Sequence, residues 1–204
     1  MTDTAPRMDP DDRKQQIIAA ATAVFSEKGF HQASMTDIVA AAKLSKGGVY
    51  WHFKNKEAIF VAVLDQFFQS EMDDVMAFLS APLPASEKIT QMINGMVQDT
   101  TALLGPYRNM WLELYAVSAR EGLFREQLLE YMHQFIGVFQ ALIQEGIDNG
   151  EFREVSAYDT AVIAIAQFEG LILLWAIKPD EVDMVSLSAT AIAMILRALK
   201  KERP

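Results

Sequence analysis

The sequence contains no cysteine among its 204 residues. Disulfide bonds, thiolate nucleophiles and zinc sites with cysteine ligands are therefore excluded. Histidine is scarce as well: its three residues lie in separate segments, and none has a second histidine at the i, i+4 spacing of a helical metal site. No glycine-rich phosphate loop follows a strand pattern, and no nucleophile elbow is visible. We therefore predict that the protein is not an enzyme and has no catalytic residues, metal site or cofactor.

Long apolar runs are missing too, since none reaches about 18 uninterrupted residues, and we expect no membrane span and a cytoplasmic protein. The first twelve residues are polar and contain Pro6 and Pro10, which favours a disordered arm. A period-2 strand pattern is absent, whereas helical spacing recurs from Arg13, and we expect the last helix to begin at Asp180. The predicted fold is all-α, with about nine helices.

Positive charge is also in short supply, because 27 acidic residues outnumber 18 lysines and arginines and leave a net charge of −9. The charge is divided unevenly along the chain. Residues 1–56 hold eight basic and six acidic side chains, a net charge of +2, whereas the remaining 148 residues carry −11. This asymmetry predicts a head that contacts phosphate groups and a body that does not. Phosphate contact depends on local charge, so an acidic protein can still bind DNA.

The most informative stretch lies between residues 34 and 60, where the pattern predicts two short helices, a tight turn and the start of a third helix. Ser34 with Asp37 three residues later gives a capping-box-like helix start. Ser45 is the next capping residue, and the helix after it holds two glycines in its first turn. Because glycine there costs about 1 kcal/mol relative to alanine, we expect a partner to approach the backbone closely. Short helices with basic, small-residue N-termini enter the major groove of DNA.

Residues of about 13 to 60 resemble the N-terminal DNA-binding domain of the TetR/AcrR family of transcriptional regulators. The matching segments are AAATAVFSEKGF (Ala19–Phe30), SMTDIVAAA (Ser34–Ala42) and LSKGGVYWHFKNKEAIF (Leu44–Phe60). The last segment is the most specific, because its Gly, Tyr, His-Phe and Lys-Glu recur at offsets that helix formation alone does not require. One departure is Lys43, at a turn position where the family usually has glycine. We expect a left-handed backbone and local strain there.

By this resemblance, four side chains are expected to face DNA phosphates. Thr36 looks like the phosphate-binding hydroxyl of the family, and a capping or surface role is the alternative. Tyr50 and His52 look like a phosphate-facing pair. Lys56 lies at a helix N-terminus, which suits a phosphate.

The helix predicted from Lys46 presents its first turn to DNA in the same resemblance. Lys46 and Gly47 are implied to contact base edges or nearby phosphate, with a solvated surface lysine as the alternative for Lys46. Trp51 is instead expected to pack inside the head. The complete set of predicted DNA-binding residues is Thr36, Ser45, Lys46, Gly47, Gly48, Tyr50, His52 and Lys56.

The last two predicted helices differ from the others. Residues 157–177 are apolar almost all round, and such a helix must be covered on both sides. The final helix repeats Ile192, Ile195 and Leu199 among small residues that allow close approach. We predict that the pair forms a homodimer interface, a four-helix bundle with two helices from each subunit. The alternative is a fully buried helix in a monomeric core.

In the family that the head resembles, a cavity in the body binds a small molecule and changes the spacing of the heads. Flexible methionines and flat aromatic rings suit such an apolar pocket, although ordinary core packing is an alternative for each. Glu113 and Glu169 are carboxylates beside apolar positions, and either would favour a cationic lipophilic ligand if it points inward. The predicted ligand-binding residues are Met92, Met96, Trp111, Tyr115, Phe135, Phe139, Phe168, Glu169 and Trp175.

The sequence thus predicts three regions: a disordered arm (1–12), a three-helix helix-turn-helix DNA-binding domain (13–56) and a helical effector-binding and dimerisation domain (57–204). The predicted function is a homodimeric transcriptional repressor on a palindromic double-stranded DNA operator. A small lipophilic effector would release it by favouring a head separation that no longer matches groove faces about 34 Å apart. One alternative is an activator or a DNA-binding protein without an effector. The other is an enzyme or interaction module with a relic head.

Overall fold

The computed structural model describes residues 9–104 and 108–201, except for some side chains within 67–78 and 103–111. Nine α-helices form in these residues, and the β-structure among them is one isolated bridge between Phe152 and Lys200. The all-α prediction is therefore confirmed. The helices are α1 (Pro10–Lys28), α2 (Met35–Ala42), α3 (Lys46–His52), α4 (Lys56–Leu79), α5 (Ala85–Leu104), α6 (Arg108–Ser118), α7 (Gly122–Asp148), α8 (Ala157–Ile177) and α9 (Met184–Leu199).

The chain forms two compact units that meet between Phe67 and Phe68, inside α4. The sequence instead predicts a boundary between residues 56 and 57. The difference arises because the first turns of α4 belong to the core of the N-terminal unit, which we call the head. The ring of Phe60 lies 5.1 Å from that of Phe25 and 4.8 Å from that of Phe30, measured between centroids. These buried aromatic pairs join the start of α4 to the first helix of the head.

Helix α1 begins earlier than the sequence predicts, so the expected disordered arm is wrong for residues 10–12. The carboxylate of Asp9 caps the helix by accepting the Asp11 amide at 3.0 Å. Pro10 occupies the first helical position, where the missing N–H has no consequence and the fixed φ suits the helix. A proline that suggests a disordered segment is thus a helix start here. Residues 1–8 of the predicted arm lie outside the described residues.

The second unit, which we call the body, is built from the second half of α4 and from α5 to α9. Helix α7 packs on α5, α6 and α8, while α9 packs on α5 and α8. Helix α8 turns Ile165, Phe168, Ile172 and Trp175 into this core. Four helices of the body (α5, α6, α7 and α8) carry the predicted ligand-binding residues.

The last helix begins at Met184, not at Asp180 as predicted, because Asp183 is its capping residue and accepts the Ser186 amide at 3.0 Å. The preceding residues form a turn instead, with the Val182 amide donating to the carbonyl of Lys178 at 3.1 Å. Ile192, Ile195 and Leu199, which the sequence assigns to the dimer interface, are buried within the chain. They therefore belong to the core of the body, and a different face of α9 is exposed.

Helix α8 is long and apolar enough to cross a membrane by length and composition alone, and 39% of that stretch is buried. Helix α8 contains no uninterrupted apolar run of the length expected for a membrane span, because Gln167 and Glu169 lie within its apolar sequence. A helix packed inside a folded domain meets the same criteria.

Candidate nucleic-acid interface and effector site

Helices α2 and α3 form a helix-turn-helix whose ends are fixed by side-chain caps. Ser34 and Asp37 make the predicted capping box: the Ser34 hydroxyl accepts the Asp37 amide at 3.2 Å, and the Asp37 carboxylate accepts the Ser34 amide at 2.9 Å. The turn contains Lys43 with φ 53 and ψ 37, which confirms the left-handed backbone. Ser45 then caps α3 by accepting the Gly48 amide at 3.1 Å. Local chemistry therefore sets both the length and the direction of α3.

One face of α3 is buried and the other is open to solvent. Val49 is buried in the head, whereas Lys46, Gly47 and Tyr50 are exposed. The Lys46 ammonium lies 5.7 Å from the centroid of the Tyr50 ring, one turn further along the helix. A Cβ atom added to Gly47 would meet nothing within 4 Å, so packing inside the head does not require glycine there. The open first turn leaves room for a partner to approach the backbone closely.

The first turn of α2 lies beside a strongly held negative charge. Asp37 accepts a hydrogen bond from the Lys28 ammonium at 2.7 Å and others from Ser34, and these lower its pKa to about 2. The neighbouring Thr36 is exposed, and its hydroxyl makes no hydrogen bond with any described residue. Thr36 is thus available for an external acceptor such as a phosphate oxygen.

The predicted ligand-binding residues lie on four helices of the body, of which α5, α6 and α8 each pack on α7. Those with described side chains are all buried or half-buried: Met92 and Met96 on α5, Tyr115 on α6, Phe135 and Phe139 on α7, and Phe168, Glu169 and Trp175 on α8. Trp111 lies on α6, but its side chain is outside what the structure describes. This burial is compatible with both of the predicted alternatives, a core and an effector pocket.

Glu169 points inward, unlike most acidic residues of the body. Its carboxylate accepts a hydrogen bond from the Tyr115 hydroxyl, which connects α8 to α6. Burial raises the pKa of Glu169 above its ordinary value, and the hydrogen bond from Tyr115 opposes that rise only in part. An ionised carboxylate can accept about four hydrogen bonds, so this one retains capacity for a cation or a donor. Glu113 is only half-buried.

Comparison with known proteins now decides the family. Residues 17–63 match the family of bacterial regulatory proteins known as the tetR family, and residues 85–201 match the C-terminal domain of BetI-type transcriptional repressors. DhaR, a transcriptional repressor of Mycobacterium sp. strain GP1, is 30% identical over 162 residues, which cover 78% of this chain and 80% of DhaR. The chain belongs to the TetR family. It is a DNA-binding transcriptional repressor of the TetR type, and the family is one of regulators, not enzymes.

Solved structures have the same fold. The complex of SmeT with triclosan superposes with a TM-score of 0.82 at 21% identity, over 94% of this chain and 93% of SmeT. SmeT is the repressor of a multidrug efflux pump of Stenotrophomonas maltophilia. A transcriptional regulator of Saccharomonospora viridis, bound to choline, gives a TM-score of 0.82 at 18% identity over 94% of this chain and all of that one. Both comparisons establish the TetR fold of this chain.

The structure gives Lys56 of this TetR-family head a role other than the predicted one. Its ammonium donates to the carbonyl oxygens of Phe30, His31 and Ala33 at 2.8, 3.2 and 3.1 Å, and it lies 4.6 Å from the centre of the Phe30 ring. All three ammonium protons are therefore taken up by the loop between α1 and α2. This geometry does not support the prediction that the Lys56 side chain binds a phosphate. Its position indicates a structural role in the head.

The prediction that Trp51 packs inside the head is wrong, because its side chain is 73% exposed. Its indole ring meets the His52 ring edge to face, with 4.5 Å between centroids. A signal for this exposure is present in the sequence: Trp51 follows Gly47 by four residues and so lies on the same open face of α3. Trp51 therefore joins the candidate DNA-contacting residues of this TetR-family protein.

Proposed function

We propose that this repressor acts as a homodimer in the cytoplasm, and that it binds a palindromic operator and is released by a small effector. The observation that carries the proposal is an exposed apolar stripe on α8. Ile163, Leu174 and Ile177 are 58%, 53% and 59% exposed, and Ala166 and Gly170 lie between them at spacings of three and four residues. This is the spacing at which one helix face packs against a partner helix.

Helix α9 extends the same surface. Its exposed residues include Val185, Leu187 and Met194, and its single charged residue is Arg197. Monomeric proteins rarely leave apolar patches of this kind open to water. A second copy of the chain is the occupant that we propose, because the same two helices from each subunit complete a four-helix bundle around a two-fold axis.

Two-fold symmetry also gives the head its function. One α3 helix contacts only a few base pairs, whereas two copies contact two half-sites about 34 Å apart along one side of the duplex. We propose that Lys46, Gly47, Tyr50 and Trp51 face DNA and that Thr36 binds a phosphate. The exposed positions of these residues and the open space at Gly47 support the proposal.

The effector site is proposed among α5, α6, α7 and α8. Glu169 with its Tyr115 partner is the polar group among buried methionine and aromatic side chains, and its free acceptor capacity favours a lipophilic cation. Effector binding would favour a conformation whose heads no longer match the operator. Helix α4 begins in the head and ends in the body without a break, and we propose that it carries the change.

The proposal is tested by selecting duplexes from random-sequence DNA with the full chain. We expect the selected sequences to contain inverted repeats, and we expect footprints to disappear when a panel of lipophilic cations is added but not when matched acids are added. Selected sequences without two-fold symmetry would contradict the dimeric mode of binding. A footprint that no compound in the panel changes would contradict an effector of this class.

Lys46 and Lys56 should respond differently to substitution. We expect Lys46→Ala to weaken binding to the selected duplex about tenfold, because a hydrogen bond to a charged group contributes about 1.5 kcal/mol or more. The salt dependence of affinity should also become less steep. We expect Lys56→Met to lower the free energy of unfolding by about 2 kcal/mol, because three carbonyl groups, of which those of Phe30 and Ala33 are in part-buried contacts, lose their donor. Titrations at several salt concentrations and urea unfolding measure the two effects. Equal effects of both substitutions on the salt dependence would contradict the assignment.

Glu169 makes the stability of the body depend on pH. Because its folded-state pKa is raised, the folded protein holds this proton more tightly than the unfolded chain. The free energy of unfolding should therefore fall as the pH rises from the ordinary glutamate value through the raised one. Glu169→Gln, which keeps an acceptor for Tyr115, should match the wild type below this window and exceed it in stability above it. Urea unfolding across the pH range measures this difference.

The control is Glu126→Gln, since Glu126 is an exposed carboxylate on α7. Its unfolding curve should follow that of the wild type at every pH. Glu169→Gln should also lose its response to cationic effectors while it keeps its affinity for DNA. A Glu169→Gln variant that shows the wild-type pH profile would mean that this carboxylate is not buried as described.

A further inference from the structure

A groove of about 660 Å³ lies in the head between the first turn of α1 and helix α3. Asp9 and Arg13 line it on one side, and Gly47, Trp51 and His52 line it on the other. Two of these, Gly47 and Trp51, also belong to the exposed face of α3. The groove is therefore continuous with the surface that contacts DNA, although the sequence gives no DNA-binding role to α1.

Arg13 contributes a guanidinium group to this groove. Its Nε atom is buried and has no hydrogen-bond partner among the described residues. Buried donors in native proteins are nearly always paired, so this one requires an acceptor that no described residue supplies, such as an ordered water or a group from outside the chain. A guanidinium group binds phosphate through two parallel N–H donors, which makes a phosphodiester the best-fitting acceptor.

The opposite wall suits a sugar–phosphate chain as well. The exposed indole of Trp51 offers a flat apolar face and one N–H donor, and the His52 ring supports it from the side. Gly47 leaves the rim open, because a Cβ atom there would meet no other atom of the chain within 4 Å. A strand of the duplex can thus pass from the first turn of α3 into the groove.

We propose that the groove holds a segment of the operator backbone beside the base pairs contacted by α3, and that Arg13 binds a phosphate of this segment. The interface then extends from α3 to the start of α1. Asp9 also lines the groove and carries a negative charge, like the phosphate; one of its carboxylate oxygens accepts the Asp11 amide at the helix cap. Its negative charge weakens the contact and so limits the affinity for DNA.

The two charges give the proposal a test with opposite signs. The probe is a duplex that the wild-type protein selects from random-sequence DNA, and affinity is measured at several salt concentrations. We expect Arg13→Gln to bind about tenfold more weakly and to release about one fewer counterion, which makes the salt slope shallower by about 0.9. We expect Asp9→Asn to bind several-fold more tightly, since asparagine caps a helix as well as aspartate does.

Glu27→Gln is the matched control, because it removes one acidic charge near the other end of α1. Glu27 lies fourteen residues after Arg13 on the same helix, which places it about 21 Å away. This distance is about twice the length over which the salt in ordinary buffer screens a charge. We expect its affinity to change less than twofold. Arg13→Lys should keep the salt slope of the wild type, which separates loss of charge from damage to the fold. Thermal unfolding of all four variants checks that the head remains folded.

Ethylation of individual phosphates locates the contact on the duplex. One phosphate, flanking the bases contacted by α3, should interfere with binding of the wild type and cease to do so with Arg13→Gln. If Arg13→Gln shows the wild-type slope and the wild-type interference pattern, the groove does not hold the backbone. That result leaves the DNA-binding function intact, whereas a wild-type protein that selects no duplex would contradict the function itself.

Discussion

Leu174→Asp should convert the protein from a dimer to a monomer and abolish tight operator binding. Leu174 lies on the exposed stripe of α8, between Gly170 and Ile177. Burying one leucine side chain contributes about 1.5–3 kcal/mol, and burying an unpaired carboxylate costs more than that. In the proposed two-fold dimer, the substitution lies in the interface twice. The dimer dissociation constant should therefore rise at least about a thousandfold.

The loss of DNA affinity follows from the loss of the second head. A monomer contacts one half-site, and the second half-site then no longer binds as an intramolecular event. Sedimentation velocity measures the oligomeric state, and titration of the selected duplex measures affinity. Leu129→Asp is the control, since Leu129 is an exposed leucine on α7, outside the stripe. If the Leu174→Asp variant is still a dimer at protein concentrations where the wild type is a dimer, this face of α8 is not the interface.

Lipid is the other occupant that the composition of α8 allows, because the helix is long and apolar enough to enter a membrane. Addition of phospholipid vesicles separates the two possibilities. A protein that dimerises through α8 and α9 should remain in the aqueous fraction, with the same sedimentation coefficient. Transfer of the wild type, but not of Leu174→Asp, to the vesicles would identify a membrane-binding face instead.

Features set by local chemistry were predictable from the sequence. Ser34, Asn55 and Ser156 each precede a helix, and each side chain accepts an amide within its own first turn, at 3.2, 2.9 and 3.2 Å. The partner of each cap is three residues away, so a short window of sequence contains both groups. The left-handed backbone of Lys43 is instead expected from the family resemblance, because the family usually has glycine at this turn position.

Features set by distant residues were not predictable. The ammonium of Lys56 binds carbonyl groups more than twenty residues earlier in the chain, and no local pattern indicates them. The burial of Ile192 and Ile195 on α9 depends on how α5 and α8 pack against that helix. Helical spacing identifies an apolar stripe, but it does not tell which neighbour covers the stripe. Tertiary packing makes that choice.

A second long-range feature is a buried ion pair between α5 and α7. The side chain of Lys88 is 6% exposed, and its ammonium donates to both carboxylate oxygens of Glu145, at 2.8 and 3.0 Å. It also donates to the carbonyl of Leu79 at 3.1 Å, so that it holds the last residue of α4 as well. Lys88 lies in the first turn of α5, where the helix dipole disfavours a positive charge, and it therefore depends on its partner.

The neighbouring Glu151 completes this junction. Its carboxylate accepts the amides of Ala85 and Ser86 at 2.8 and 3.1 Å and so caps the N-terminus of α5. One ammonium and two carboxylates thus connect the end of α4, the start of α5 and the end of α7. The junction therefore fixes the end of α4 that lies in the body, whereas the start of the same helix belongs to the head.

Glu145→Ala should therefore be among the most destabilising single substitutions in the body. It leaves the Lys88 ammonium buried without its counter-charge, which typically costs about 3–5 kcal/mol; the partial exposure of Glu145 places the expected loss at about 3 kcal/mol. Combining Lys88→Met with Glu145→Gln should recover most of the loss, because no unpaired charge remains. Urea unfolding compares both variants with the wild type, and the slope of unfolding free energy against urea concentration should stay constant if each protein unfolds in one step.

The matched control is the ion pair between Lys178 and Glu181, at 2.9 Å, whose side chains are 58% and 69% exposed. Glu181→Ala should cost less than about 1 kcal/mol, because exposed charges are well solvated without their partner. Glu145→Ala and Glu181→Ala thus compare the same change at a buried and an exposed site. Equal losses would mean that water reaches Lys88 in solution, and the junction would then not hold α4 in place. A large loss of unfolding free energy in Glu145→Ala but not in Glu181→Ala, recovered in the double variant, would establish that Lys88 holds the end of α4 in place.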